Sequence, residues 1–270
     1  MSVAVAVIKD INEKLTKKLN EESVALPKGF NSFRFKQNAM CAIQNLDFSR
    51  INQGETNNLV RCILQGAYLG LDFMSKECYI VPRSGKPTFM TDYKGEKKLC
   101  YEYAVRPIRN IYAEVVKKGD ELNISVVDNK TIVNFNPDPF NDNPIIGAFA
   151  VVEYEDGTVN TERMSVKEIE KVREKSLAKK SGPWFDSYGE MCKKTVIRRL
   201  TKHIQLKFND KQLEAWNEGS QMDFEKKPKT VQEAASDLKD KMEEETQEDN
   251  VIDVPFDDVD YTDTPFEGGK

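Results

Sequence analysis

Between residues 55 and 103 the hydrophobic period changes twice, and this switch constrains the fold more than any other feature of the chain. In ETNNLVRCILQGAYLGL (55–71), Leu59, Cys62, Ile63, Ala67 and Leu69 follow a spacing near 3.6 residues, that of one helix face. Gly66 and Gly70 weaken the second half of this helix and point to close packing or to its end. The period then drops to two. CYIVPR (78–83) and PTFMT (87–91) read as short strands joined through Ser84-Gly85. Pro82 and Pro87 cannot donate ladder hydrogen bonds, which predicts an exposed ribbon or a sheet edge. YKGEKKLCYEY (93–103) returns to a helical pattern, although Gly95 costs about 1 kcal/mol in a helix interior.

Helical patterns also cover 5–19, 35–46 and 188–204, and strand-like runs cover 105–116, 122–127, 131–135, 145–154 and 158–164. Ser165, followed three residues later by Glu168, signals a capping box at the head of a further helix. The order predicts an α+β fold: a central antiparallel sheet region with an exposed β-hairpin, flanked by helices. Net charge hides a division. Residues 1–219 hold 34 Lys and Arg against 29 Asp and Glu, whereas 220–270 hold 6 against 16. We therefore expect a basic body over 1–219 and an acidic, largely disordered tail over 220–270. The formal net charge of −5 says little about what the body binds, because distant charges are screened within about 10 Å. No apolar run approaches the length of a membrane span, and the start, MSVAVAVIKDINEKL, is a poor signal peptide. Five cysteines, widely spaced, beside a single histidine give no ordinary zinc pattern. The expectation is reduced thiols in a cytoplasmic protein.

The charges gather in two places. Residues 76–118 carry ten Lys or Arg against five acids. Arg83 and Lys86 flank the hairpin turn, Lys94, Lys97 and Lys98 lie on the following helix, and Arg106 comes shortly after. Cations on a ribbon and an adjoining helix can track a phosphate backbone, and aromatics between them can stack on bases without reading identity. Tyr79 and Tyr93 are the stacking candidates; Phe89 reads equally as core. The second place is helix 188–204, where Cys192, Val196, Leu200 and Ile204 make an apolar row and Lys194, Arg198 and Lys202 a cationic one. Like charges four apart cost a helix a few tenths of a kcal/mol unless something neutralises them. A phosphate chain would do so, a solvated face would tolerate it, and an acidic protein partner is the third reading.

Several chemistries find no support. SGKPT lacks the upstream glycine of a phosphate-binding loop and a Ser or Thr directly after its Lys. Asp72, Glu77, Asp92 and Glu96 do not show a nuclease metal spacing, and salt bridges to nearby lysines account for them more simply. His203 stands alone, as a phosphate contact or a bystander. No catalytic residue and no metal ligand is assigned.

At these residues the chain resembles the phage RecT family of single-stranded DNA annealing proteins. The family pattern runs from a helix ending A-x-x-L-G-L, through a strand reaching a proline, a glycine turn and a returning strand, to Gly-Tyr-Lys-Gly before a helix. Here it reads Ala67-Tyr68-Leu69-Gly70-Leu71, Tyr79-Ile80-Val81-Pro82, Gly85, Phe89-Met90 and Asp92-Tyr93-Lys94-Gly95. AEVVKKGDEL, AFAVVEYEDG and WFDSYGEMCKKTVIRRLTKHI match later family segments, so the likeness spans about residues 55–205. Two departures stand out: Asp92 replaces a frequent glycine, and YEYAVRP replaces the usual turn after the helix.

The resemblance implies ATP-independent binding and annealing of complementary strands in homologous recombination, by a ring or helical filament that holds backbones in a basic groove. Lys94, Lys194 and Arg198 are the carried-over contacts, with Arg83 and Lys86 beside them. No cofactor is required, Mg²⁺ entering only as a DNA counterion. The expected partners are single-stranded DNA, annealed duplex and further copies of the chain, with a phage exonuclease or a host replication or recombination protein as the tail's candidate. The alternatives are a metal-dependent DNA-processing nuclease and a noncatalytic basic adaptor. The tail segment DVPFDDVDYTDTPF resembles the acidic tips of bacterial single-stranded DNA-binding proteins. Its pairs Pro255-Phe256 and Pro265-Phe266 are candidate docking anchors; competition with DNA for the basic groove is a second reading, and a merely solubilising tail the third.

Overall fold

The computed structural model describes residues 3–176 and 179–220. Three helices open the chain: α1 (Val3–Glu21), α2 (Ser32–Gln44) and α3 (Thr56–Leu69). Ile11, Leu15 and Leu19 repeat every four residues along one face of α1 and are buried, as are Phe35, Ala39 and Ile43 on α2. Helix α1 closes over α3, and α2 packs on α1 and, through Phe35 on Phe73, on the loop after α3. Helix α3 itself is buried nearly all round from Leu59 to Leu69, with Arg61 the exception in that run. Gly70, at φ 65°, ends α3 in the left-handed conformation that glycine adopts without steric cost.

The expected ribbon follows as β1 (Cys78–Arg83) and β2 (Lys86–Thr91), a two-stranded antiparallel sheet of its own. Ser84 and Gly85 both have positive φ, 48° and 79°, so the two-residue turn twists in the sense of the strands it joins. Only one face of the ribbon is open. Cys78, Phe89 and Thr91 point inward, and β2 lies against α3 and the later α8 (Asp210–Gly219). Phe89 is therefore core.

Helix α4 (Tyr93–Tyr103) leads into β3 (Ile108–Lys117), β4 (Glu121–Val127), β5 (Lys130–Asn136), β6 (Ile145–Tyr154) and β7 (Val159–Ser165). Strands β3, β6 and β7 form an antiparallel sheet in the order β3-β6-β7, and β4 pairs with β5 separately. The period of two on the central strand assigns the layers. Ala148, Ala150 and Val152 pack under α5 (Val166–Glu174), α6 (Pro183–Asp186) and α7 (Tyr188–Thr201). Phe149 and Val151 face the other way, against Leu122, Val133 and Phe135 of the β4–β5 pair. The molecule thus has the expected mixed α/β architecture, antiparallel sheets flanked by helices.

Three local expectations need revision. The helix headed by the Ser165–Glu168 capping box is short, covering only Val166–Glu174 of the pattern SVKEIEKVREKSLAKK (165–180) that suggested it. The strand expected from residue 105 starts at Ile108, after Pro107, while Ala104 makes an isolated bridge to Leu206. Helix α8 was not anticipated, although Asn209 and Gln212 form a capping box at its head. It closes the first core through Ala215 and Trp216. Among the described residues no helix is long and apolar enough to cross a membrane, and all five cysteines are free thiols, four of them buried.

Candidate nucleic-acid interface

Helix α4 lies at the junction of two cores: Leu99 belongs to the one built on α3, and its neighbour Cys100 to the one under the three-stranded sheet. A glycine seats it there. A Cβ at Gly95 would come 2.2 Å from the carbonyl oxygen of Glu77, so the α4 backbone rests against the loop before β1 in a way no larger residue permits. Asp92 caps the helix, its carboxylate accepting from the Lys94 amide at 3.2 Å.

Across from α4, helix α7 buries Cys192, Val196 and Leu200 in the sheet core, as its apolar row predicts. Its cationic row then faces α4. Lys194 Nζ donates to Asp92 Oδ2 at 2.7 Å, and Arg198 Nε donates to Glu96 Oε1 at 3.0 Å. Asp92 and Glu96 are four apart on one chain segment, and Lys194 and Arg198 four apart on another, so the two helices are joined by two rungs of an ion ladder. The repulsion along the α7 row is answered inside the protein. Of the four carboxylates Asp72, Glu77, Asp92 and Glu96, the last two are the answering groups; Glu77 holds Lys98 at 3.0 Å, and Asp72 accepts from Asn38. Among the described residues no three His, Cys, Asp or Glu side chains are grouped to hold a metal ion.

The rungs differ in depth. Glu96 is fully buried and Arg198 is 8% exposed. Thr91 and Thr201 add hydroxyl donors to the Glu96 carboxylate, and Arg198 reaches the Ser220 carbonyl at 3.3 Å. Burial pushes the Glu96 carboxyl up from its usual range, while Arg198 and the two hydroxyls pull it back. In the outer rung the Asp92 side chain is 5% exposed but that of Lys194 is 32% exposed, with its ammonium 5.8 Å from the centre of the Tyr93 ring. The anion sits inside and the cation faces out.

The open face of the ribbon adjoins this seam. Strand pairing sets Tyr79 opposite Met90, Val81 opposite Thr88 and Arg83 opposite Lys86, all on the face turned away from α3. The Arg83 guanidinium lies against Met90 Sδ at 2.9 Å. Its pKa is lowered by burial and then by the positive charge of Arg198. Tyr79 is likewise pushed up by burial and by the nearby charge of Asp92. Thus Tyr79, Arg83, Tyr93, Lys194 and Arg198 converge from segments about a hundred residues apart, with Lys94 exposed on the first turn of α4.

The remaining sequence candidates lie in other settings. Lys86 is exposed at the ribbon tip, and Lys97 is half-buried, its ammonium lowered by desolvation. Lys98 turns inward, donating to the Gly70 carbonyl at 2.9 Å and so closing the end of α3. Arg106 belongs to the β6–β7 turn, where it bonds Asp156 at 2.8 Å and Thr158 and lies over the Tyr154 ring. Lys202, the C-cap of α7, is half-buried, and His203 is 3.5 Å from Glu162. Pro255, Phe256, Pro265 and Phe266 fall outside the described residues. Sequence reasoning missed Asp92 and Glu96 as the partners of the α7 row. Their matching four-residue spacing was the available signal.

Cations on a ribbon and on a helix seam, with tyrosines between them, are the equipment of a protein that binds an extended polyanion. The model of the RecT family matches residues 33–231, from the start of α2 past the end of α8. The chain is also similar to Protein RecT of Escherichia coli (strain K12), 32% identical over 209 residues that cover 73% of this chain and 75% of that protein. The chain belongs to the RecT family and is a single-stranded DNA annealing protein.

Proposed function

We propose that single-stranded DNA runs along the open face of the β1–β2 ribbon and across the α4–α7 seam. In this reading Lys94, Lys194, Arg83, Lys86 and Lys97 meet phosphates, and Tyr79 and Tyr93 offer faces to bases. Arg198 serves from behind the surface, holding α7 against α4 so that Lys194 stands at the edge of the seam. The observation that carries the reading is that β2 of the ribbon runs directly into Asp92, where Lys194 of α7, remote in sequence, is held at 2.7 Å.

Annealing needs no nucleotide hydrolysis on this account. Two strands repel each other, cations that neutralise their phosphates lower that cost, and contacts to the backbone and to base faces leave base edges free to pair. Assembly of many copies in a ring or filament lets modest contacts hold a long strand. The cytoplasm, where the free thiols stay reduced, is the proposed compartment, and the acidic segment from residue 220 onward is assigned to a recombination or replication partner.

The test is a salt series on folded Lys94→Ala and Lys194→Ala proteins. Each should weaken binding similarly for unrelated sequences and lower the slope of log affinity against log salt by about one. Unchanged slopes in both would move the DNA path elsewhere. Annealing of complementary oligonucleotides by the unaltered protein should proceed without ATP.

A further inference from the structure

We propose that Asp92 is a built-in counter-anion that tempers the grip of Lys194 on DNA and keeps bound strands mobile enough to find their register. The inference rests on the reading of Lys194 as a phosphate contact. It comes from the asymmetry of the outer rung. A phosphate approaching Lys194 from solvent meets an ammonium already held at 2.7 Å by a carboxylate that is itself almost wholly buried. The ammonium has three donors, so it can bond both anions at once, but the two negative charges then stand only one ammonium apart. Buried charge is poorly screened, and their repulsion subtracts directly from the affinity of the site.

Nothing in the capping of α4 demands that charge. The cap is one hydrogen bond from the Lys94 amide to Asp92 Oδ1, and asparagine or serine supplies an equivalent acceptor. The rung at Arg198 also ties α4 to α7, with a buried pair that Asp92→Asn leaves in place. What the negative charge adds is a competitor placed behind a surface cation. For annealing this is useful: a strand held too tightly stays in whatever register it first met, whereas a weakened contact lets it slide and re-pair.

The experiment compares the full chain with its Asp92→Asn variant, measuring single-strand affinity across a salt series, the annealing rate of complementary oligonucleotides at saturating protein, and the thermal midpoint. Asp92→Asn should bind single strands about 3- to 10-fold more tightly, with a salt slope steeper by up to about one, and should anneal more slowly. Equal or weaker binding in a folded variant overturns the proposal, because a carboxylate that merely positions Lys194 would lose affinity when neutralised. Should the midpoint fall, Asp92→Ser decides on the same criteria. The Lys194→Gln variant separates the two layers of the argument. If it binds as the unaltered chain does, Lys194 is not a phosphate contact and the underlying reading fails. If it weakens binding while Asp92→Asn does not tighten it, only the present inference fails. In the double variant the gain from Asp92→Asn should vanish, since the two residues act as a coupled pair.

Discussion

The two rungs between α4 and α7 use the same chemistry at the same spacing, yet they do different work. Arg198 and Glu96 are sealed among Thr91, Thr201 and the Ser220 carbonyl, where the pair is a structural tie between four segments. Lys194 and Asp92, one helical turn away, reach the surface with the cation outermost. The difference teaches that a cationic row is not a surface by virtue of its sequence. Depth separates the member that faces solvent from the one enclosed in the frame.

The largest expected effect tests that division. Arg198→Ala strips the cation from a fully enclosed carboxylate and should cost about 3–5 kcal/mol of stability. Lys194→Ala leaves Asp92 the Lys94 amide and opens it to water on the side the lysine covered, and should cost less, about 1–2 kcal/mol. Urea unfolding of both variants reads this, and equal losses would break the comparison. Next comes the seat of α4. Gly95→Ala improves helix propensity but drives a methyl group into the Glu77 carbonyl, so the net effect should be a loss of about 1–3 kcal/mol, with single-strand affinity falling as the rungs shift. A gain in stability would show that the close approach relaxes freely.

Lys98 sharpens the contrast within one helix. It turns inward to Glu77 and Gly70, so Lys98→Ala should cost about 1 kcal/mol while leaving the salt slope of binding unchanged, the opposite of Lys94→Ala. A fall in slope would return Lys98 to the DNA path. The smallest effect belongs to an exposed counterpart of the rungs, Glu168 with Arg199 at 3.4 Å. The Ser165 amide and hydroxyl, and then Arg199, hold the Glu168 carboxyl below its ordinary pKa. A depressed folded pKa contributes stability that is present above the unfolded value, about 4.3, and is lost as pH falls through the folded one. Acid titration of stability in Glu168→Gln should therefore be slightly flatter below about pH 5 than in the unaltered chain; identical curves would remove the contribution.

Much of the fold was legible because its causes are local. The Ser84-Gly85 turn, the prolines on both ribbon strands and the alternation along 145–154 each act within a few residues, and α4 spans Tyr93–Tyr103 as its pattern predicts. Helix α8 was readable too, from Asn209 and Gln212, but its weak apolar stripe did not stand out. The site was legible in part. Its charges, its tyrosines and the family likeness pointed to DNA, and the family comparison agrees.

By itself the sequence determined the elements, the family and the supply of cations, since periodicity, caps and turn residues are properties of neighbours in the chain. Tertiary structure alone decided that Lys98 faces Glu77, that Arg106 belongs to the β6–β7 turn, and that Arg198 is buried where Lys194 is not. The physical reason is that exposure is set by what packs against a side chain. For the α7 row, that partner is a pair of carboxylates 102 residues earlier; the shared four-residue spacing is visible in the sequence, but only the packing of α4 on α7 brings the two pairs together.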